Sequence, residues 1–161
     1  KALLKEEEIY SISIAHFKPL CDGNIINELS VSDIDLAKNI INSEVSDFYY
    51  TQTNKTNAKS ADNAAISFKS KNQILVHITD SFCGSLERFK IEVNAKNGVY
   101  FGDLIDHKLH QVSENGQMNL KIDTNNSELN AQYEAFYDLC QSGESSELSN
   151  IDDAIKIREL F

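Results

Sequence analysis

The chain has 161 residues, 41% of them apolar and 25% charged, which suits one globular domain and excludes both wholesale disorder and two ordinary domains. Fifteen Lys and Arg against 25 Asp and Glu leave a formal charge of −10, so duplex nucleic acid and anionic membrane surfaces are excluded as partners. No apolar run approaches the ~18 residues of a membrane-spanning helix.

Lys1 to Glu8 shows neither the apolar stretch nor the cleavage site of a secretory signal, and a start at Lys1 points to a piece of a longer protein. Residues 8–15 alternate apolar and polar positions and predict a strand. Lys18 to Ser30 reads as irregular, with Cys21-Asp22-Gly23-Asn24 as a turn. A helix is expected from Ser32, where Ser32 and Asp35 have capping-box spacing and Asp33 and Asp35 suit the first turn. Its buried stripe is Ile34, Ala37, Ile40 and Ile41.

From Val45 to Thr124 the period falls to two. One face takes Phe48 and Tyr50, then Ala64, Ile66 and Phe68, then Ile74, Val76 and Ile78, then Phe89, Ile91 and Val93. Asn97-Gly98 and Asn115-Gly116 read as two-residue hairpin turns, the second between strands His107–Ser113 and Met118–Ile122. Turns this short leave no room for crossover helices, so the sheet is largely antiparallel. Asn126 or Ser127 caps a helix with the stripe Leu129, Tyr133, Phe136, Tyr137 and Cys140, stopped by Gly143. Ser149 with Asp152 opens a last helix carrying Ile151, Ala154, Ile155 and Ile157. The fold class is therefore α+β: an open, largely antiparallel sheet with helices packed on one face. Tyr49, Leu75 and Tyr100 are expected to point outward, on a face suited to a homodimer.

Few residues suggest chemistry. The six glycines stand apart, so no GxGxxG or GxxxxGK[ST] loop can cradle a phosphate, and the fragment itself binds no dinucleotide. Three cysteines, Cys21, Cys83 and Cys140, lie far apart without CxxC spacing, which favours reduced thiols in a cytoplasmic protein over disulfides or zinc. His107 and His110 sit on a predicted strand, where a spacing of three points them to opposite faces, so no metal site is expected. His16 and His77 are lone histidines in apolar strands and read as structural. Cys83-Gly84-Ser85 lacks a base and reads as a loop. Asp33-Ile34-Asp35 reads as favourable charge at a helix start rather than a metal-binding DxD.

Several strings, in order, resemble the substrate-side domain of the Gfo/Idh/MocA oxidoreductases. Ser30-Val31-Ser32-Asp33-Ile34-Asp35-Leu36-Ala37 is similar to that family's G-V-H-D-I-D-L-A helix. Asp62 to Lys69, the hairpin from Phe89 to Gly102, and Tyr133 to Gly143 followed by Ser149 to Ala154 resemble its later strands and closing helices. The resemblance spans residues 25–161, with 1–24 as a lead-in strand and loop. It implies a parent oxidoreductase whose N-terminal Rossmann domain, absent here, binds NAD or NADP. It further implies a carbohydrate-like substrate (a sugar, polyol or sugar nucleotide), and dimerisation through the sheet. By position, the family's acid–base pair falls on Glu28 and Ser32, and serine cannot do the work of an imidazole near neutrality. Phe17-Lys18-Pro19 echoes the family's Glu-Lys-Pro motif out of its context. A non-enzymatic binding or dimerisation module is the alternative, since fold does not fix function.

Overall fold

In the computed structural model the described residues are 4, 7–19, 23–56, 59–121, 128–142 and 151–161. Eight strands form one sheet: β1 (Ile9–Phe17), β2 (Val45–Thr53), β3 (Asn63–Ser70), β4 (Leu75–Ser81), β5 (Arg88–Ala95), β6 (Gly98–Asp103), β7 (Lys108–Ser113) and β8 (Gly116–Leu120). Three helices accompany them: α1 (Val31–Ile41), α2 (Glu128–Ser142) and α3 (Ile151–Arg158). The strand order is β2-β3-β4-β1-β5-β6-β7-β8, and every pairing is antiparallel except β1 with β4. The α+β class expected from the period switches is what forms.

The period of two explains which face is dry. Ile12 sits beside Val76 and Val93, Ile14 beside Ile78 and Ile91, and Ile66 beside Ile78. Those rows meet Ile34, Ala37 and Ile41 of α1 and Ile157 of α3 in one core. Asn42 ends α1 in the left-handed region at φ 47°, and its N–H bonds to the Lys38 carbonyl, a conformation asparagine tolerates better than most residues. At the far end Phe161 stands edge-on to Phe48 and Tyr50, whose hydroxyl donates to the Phe161 carbonyl at 3.1 Å. The opposite face carries Ser13, His77, Thr79, Lys90, Glu92 and Phe101 around an open hollow of about 690 Å³. Tyr49 and Leu75 are exposed there as expected, at 71% and 49%.

Several local readings change. Tyr100 is not outward: it is 7% exposed, and its hydroxyl donates to Glu7 at 2.7 Å. The stretch before α1 is not irregular throughout, because Ile26–Ser30 forms a π-helical turn running straight into α1. Ser32 therefore lies inside the helical run and caps nothing; its hydroxyl donates back to the Leu29 carbonyl at 2.7 Å. In both hairpins the glycine follows the two turn residues, since Ala95 pairs with Gly98 and Ser113 with Gly116. Within these two hairpins positive φ falls on Gly98 and Gly116, at 137° and 107°, and not on the asparagines before them. His107 sits in a turn at φ 50°, outside β7. Among the described residues the aromatic stripe of α2 meets no core: Tyr133, Phe136 and Tyr137 are all more than half exposed. The expected caps at 126, 127 and 149, the stop at Gly143, the burial of Leu129 and the Cys21-Asp22 part of the turn lie outside the described residues.

Candidate functional site

Along the helix-facing rows of β1 and β4 the third position changes character. Ile12 and Ile14 are followed by His16, and Val76 and Ile78 by Asp80, and the register sets His16 beside Asp80. Above them the helical run presents Ser30 and Asp33, three residues apart and so on one face. Four polar residues thus close over the end of the two parallel strands. Ser30 and Asp80 are 0% exposed and Asp33 is 1% exposed, burial that charged groups sustain only with partners.

The partners are specific. Asp33 takes His16 Nδ1 with both oxygens, at 2.9 and 3.2 Å, and the imidazole lies flat on Phe89, centroids 3.9 Å apart. A carboxylate on Nδ1 holds the proton on that nitrogen and leaves Nε2 as the basic one. Ser30 Oγ donates to Asp80 Oδ2 at 2.5 Å. Asp80 Oδ1 is buried and bonds to no described group. Burial, followed by the charge of the neighbouring Asp33, pushes the Asp80 carboxyl up to about 8, against the pull of the Ser30 hydroxyl. Two carboxyls packed this close do not both ionise at neutral pH, so Asp80 is the neutral member. The arrangement supplies a buried proton on Asp80 and an oriented imidazole at the edge of the helix layer.

Glu28 and Ser32, the positions singled out by the resemblance, are both exposed and four residues apart on the outer side of this helical run. They flank the buried cluster without joining it. Asp33 and Asp35 do not form a DxD pair, because Asp33 turns inward to His16 while Asp35 accepts from Asn39 at 3.1 Å. His110 stacks on Phe101 at 5.0 Å and His77 bonds Ser67 at 3.0 Å, both toward the open face. Cys83 Sγ accepts from Asn63 Nδ2 at 3.2 Å, with no imidazole bonded to it. Lys18 follows β1 directly and its backbone N–H bonds to Ser81. Among the described residues no group of three or more His, Cys, Asp or Glu could hold a metal, and no helix is long and apolar enough to cross a membrane.

His16 reads from the sequence as structural and Asp33 as charge at a helix start, while nothing there singles out Ser30 or Asp80 for the site. A signal was present. Both apolar rows break at equivalent places, and Ser30 and Asp33 continue the Ile34 and Ala37 stripe toward the sheet.

No protein-family model matches the sequence, and no curated protein matches it by sequence. Solved structures do match the fold. UDP-N-acetylglucosamine 3-dehydrogenase GnnA from Acidithiobacillus ferrooxidans superposes with a TM-score of 0.85 at 14% identity, covering 99% of this chain and 55% of its own. An oxidoreductase from Agrobacterium radiobacter, in complex with NAD+, L-tartaric acid and magnesium, gives 0.75 at 14% identity over 95% of this chain and 53% of its own. The dehydrogenase MviM from Clostridium difficile gives 0.74 at 16% identity over 95% and 52%. The chain thus spans about half the length of the structures it matches. Its fold is that of one half of Gfo/Idh/MocA-type oxidoreductases.

Proposed function

We propose that residues 25–161, led in by 1–24, form the C-terminal, substrate-side domain of an NAD- or NADP-dependent oxidoreductase of the Gfo/Idh/MocA type. The observation that carries this reading is the near-complete cover of this chain by GnnA, achieved with only 55% of GnnA. The remainder of such a protein would hold the nucleotide. No phosphate-cradling loop exists in these 161 residues to do so.

In this reading the helical run from Ile26 to Ile41 forms the wall that meets a carbohydrate-like substrate in the cytoplasm. Glu28 supplies a carboxylate and Ser32 a hydroxyl at the exposed face. The Ser30–Asp80 and His16–Asp33 contacts fasten that wall to the sheet. With a nicotinamide in the other half as hydride acceptor, the Glu28 carboxylate would take the hydroxyl proton of the substrate carbinol, while this domain binds the sugar and sets which carbon is presented. The open sheet face seats a second copy, and light scattering on Phe101→Asp tests that contact.

The decisive experiment joins this chain to the ~120–150 residues expected of a nucleotide-binding half. NADH formation from NAD+ is then followed with UDP-N-acetylglucosamine and with free sugars. Turnover in the joined polypeptide and none in the chain alone is the expected result. Turnover by the chain alone refutes the assignment. A joined polypeptide that binds sugars but never turns over favours the second reading, a binding module. Serine in place of an imidazole at position 32 is the observation on that side.

A further inference from the structure

The exposed side of the helical run is sorted by hydrogen-bonding character. Asn24 lies one turn before Asn27 and Glu28, whose N–H groups both donate to its carbonyl at 3.0 Å, and all three residues are exposed. The Asn24 side-chain oxygen accepts the Ile26 N–H at 3.0 Å. The Asn27 side-chain oxygen accepts from the guanidinium of Arg158, the last residue of α3, at 2.6 Å. A backbone N–H and a guanidinium can only donate, so each amide must turn its oxygen to that donor and keep its NH2 for the face. Arg158 adds the N–H groups that its bond to Asn27 leaves over, and no carboxylate among the described residues pairs with it. This end of the wall offers donors only.

The other end accepts. Ser32 gives its proton to the Leu29 carbonyl at 2.7 Å and is left with lone pairs. Glu28 brings an exposed carboxylate, its side chain folded so close to Gly23 that a Cβ there would lie 2.8 Å from Glu28 Cγ.

We propose that Arg158, with Asn24 and Asn27, binds the phosphate of a phosphorylated sugar, as a monoester or a nucleotide-linked diphosphate, while the sugar hydroxyls lie toward Glu28 and Ser32. The inference rests on the helical run being a substrate wall, and it names the sugars that wall takes. An ionised phosphate presents acceptors alone and carries the charge that a guanidinium pairs with through parallel bonds. Sugar hydroxyls supply the protons that a carboxylate and serine lone pairs accept. Glu28 repels the phosphate from the accepting end, so the two ends together fix one orientation of the ligand.

Titration of the isotopically labelled chain tests the site, with NMR following Arg158 Nε–H and the Asn24 and Asn27 side-chain amides. The probes are glucose-1-phosphate, UDP-N-acetylglucosamine, glucose and inorganic phosphate. Saturable shifts with one or both esters, roughly tenfold or more tighter than with glucose or inorganic phosphate, are expected. The tighter ester identifies the source of the phosphate. Arg158→Gln should cut that preference roughly tenfold. Asn27→Asp, which keeps the arginine but gives it a carboxylate partner, should cut it too, and far-UV circular dichroism reports the fold of both variants. Equal affinity for glucose and its phosphate overturns the proposal, as does inorganic phosphate binding as tightly as either ester. An unchanged preference in folded Arg158→Gln, or no shift with any probe, overturns it as well. Sugar-induced shifts at Glu28 and Ser32 without that preference would leave the substrate wall standing and remove the phosphate site alone.

Discussion

Replacing Asp80 by asparagine should make this protein more stable near neutral pH, although it alters a fully buried polar residue. The Asp80 carboxyl is pushed up to about 8 from an ordinary 3.8, chiefly by burial and then by Asp33. Below pH 3.8 it is protonated folded or unfolded, and the neutral acid contributes its full share to the fold. Between 3.8 and about 8 the unfolded chain sheds the proton that the folded chain must keep, so stability falls as pH rises. Linkage sets the slope near 1.4 kcal/mol per pH unit, so stability falls by up to roughly 4 kcal/mol by pH 7. Asparagine keeps an acceptor for Ser30 Oγ and is neutral at every pH. Asp80→Asn should therefore match wild type near pH 4 and exceed it at pH 7 by roughly 2–4 kcal/mol, about 5–15 °C in Tm for a chain of this size. Urea or thermal unfolding of both proteins between about pH 4 and pH 8 measures the difference. Parallel stability curves across that range would refute a protonated Asp80.

Removing the Asp33 carboxylate with Asp33→Ala leaves the half-buried His16 nitrogen without its acceptor and should cost roughly 3 kcal/mol in urea unfolding, with Asp33→Asn costing less. Ile12→Ala, at a position with 0% exposure between two neighbouring strands, should cost roughly 2–5 kcal/mol by the same assay. The two hairpin glycines should differ. A Cβ at Gly98 would lie near the Val112 carbonyl, whereas one at Gly116 meets nothing within 4 Å. Gly98→Ala should thus cost roughly 2 kcal/mol or more, while Gly116→Ala costs only the ~1 kcal/mol of a positive φ on a residue with Cβ.

The strand rows were legible because burial on one face enforces strict alternation. Ala64, Ile66 and Phe68 and then Val76 and Ile78 repeat without interruption, and all five are buried. The helix start was not legible. Ser32 and Asp35 carry the letters of a cap, but the π-helical turn at Ile26–Ser30 supplies the preceding turn itself, and no local propensity announces one. Tyr100 misled for a different reason. The bond from its hydroxyl to Glu7 lets a polar-tipped ring occupy the buried face, and a partner 93 residues away has no trace in local periodicity. The α2 stripe was read correctly as a face but not as a bare one, since periodicity says which residues share a side and not what covers it. His16 and Asp80 are 64 positions apart in the sequence. Only the parallel pairing of β1 with β4 sets them side by side, and parallel neighbours need a long connection that short-range signals do not reveal.

In the proposed division of labour this chain shapes a substrate wall and leaves the dinucleotide to another domain. Calorimetric titration of NAD+, NADP+ and their reduced forms into the 161-residue chain tests this most directly. Heats indistinguishable from dilution for all four are predicted, and saturable binding of any one at micromolar concentration would contradict it.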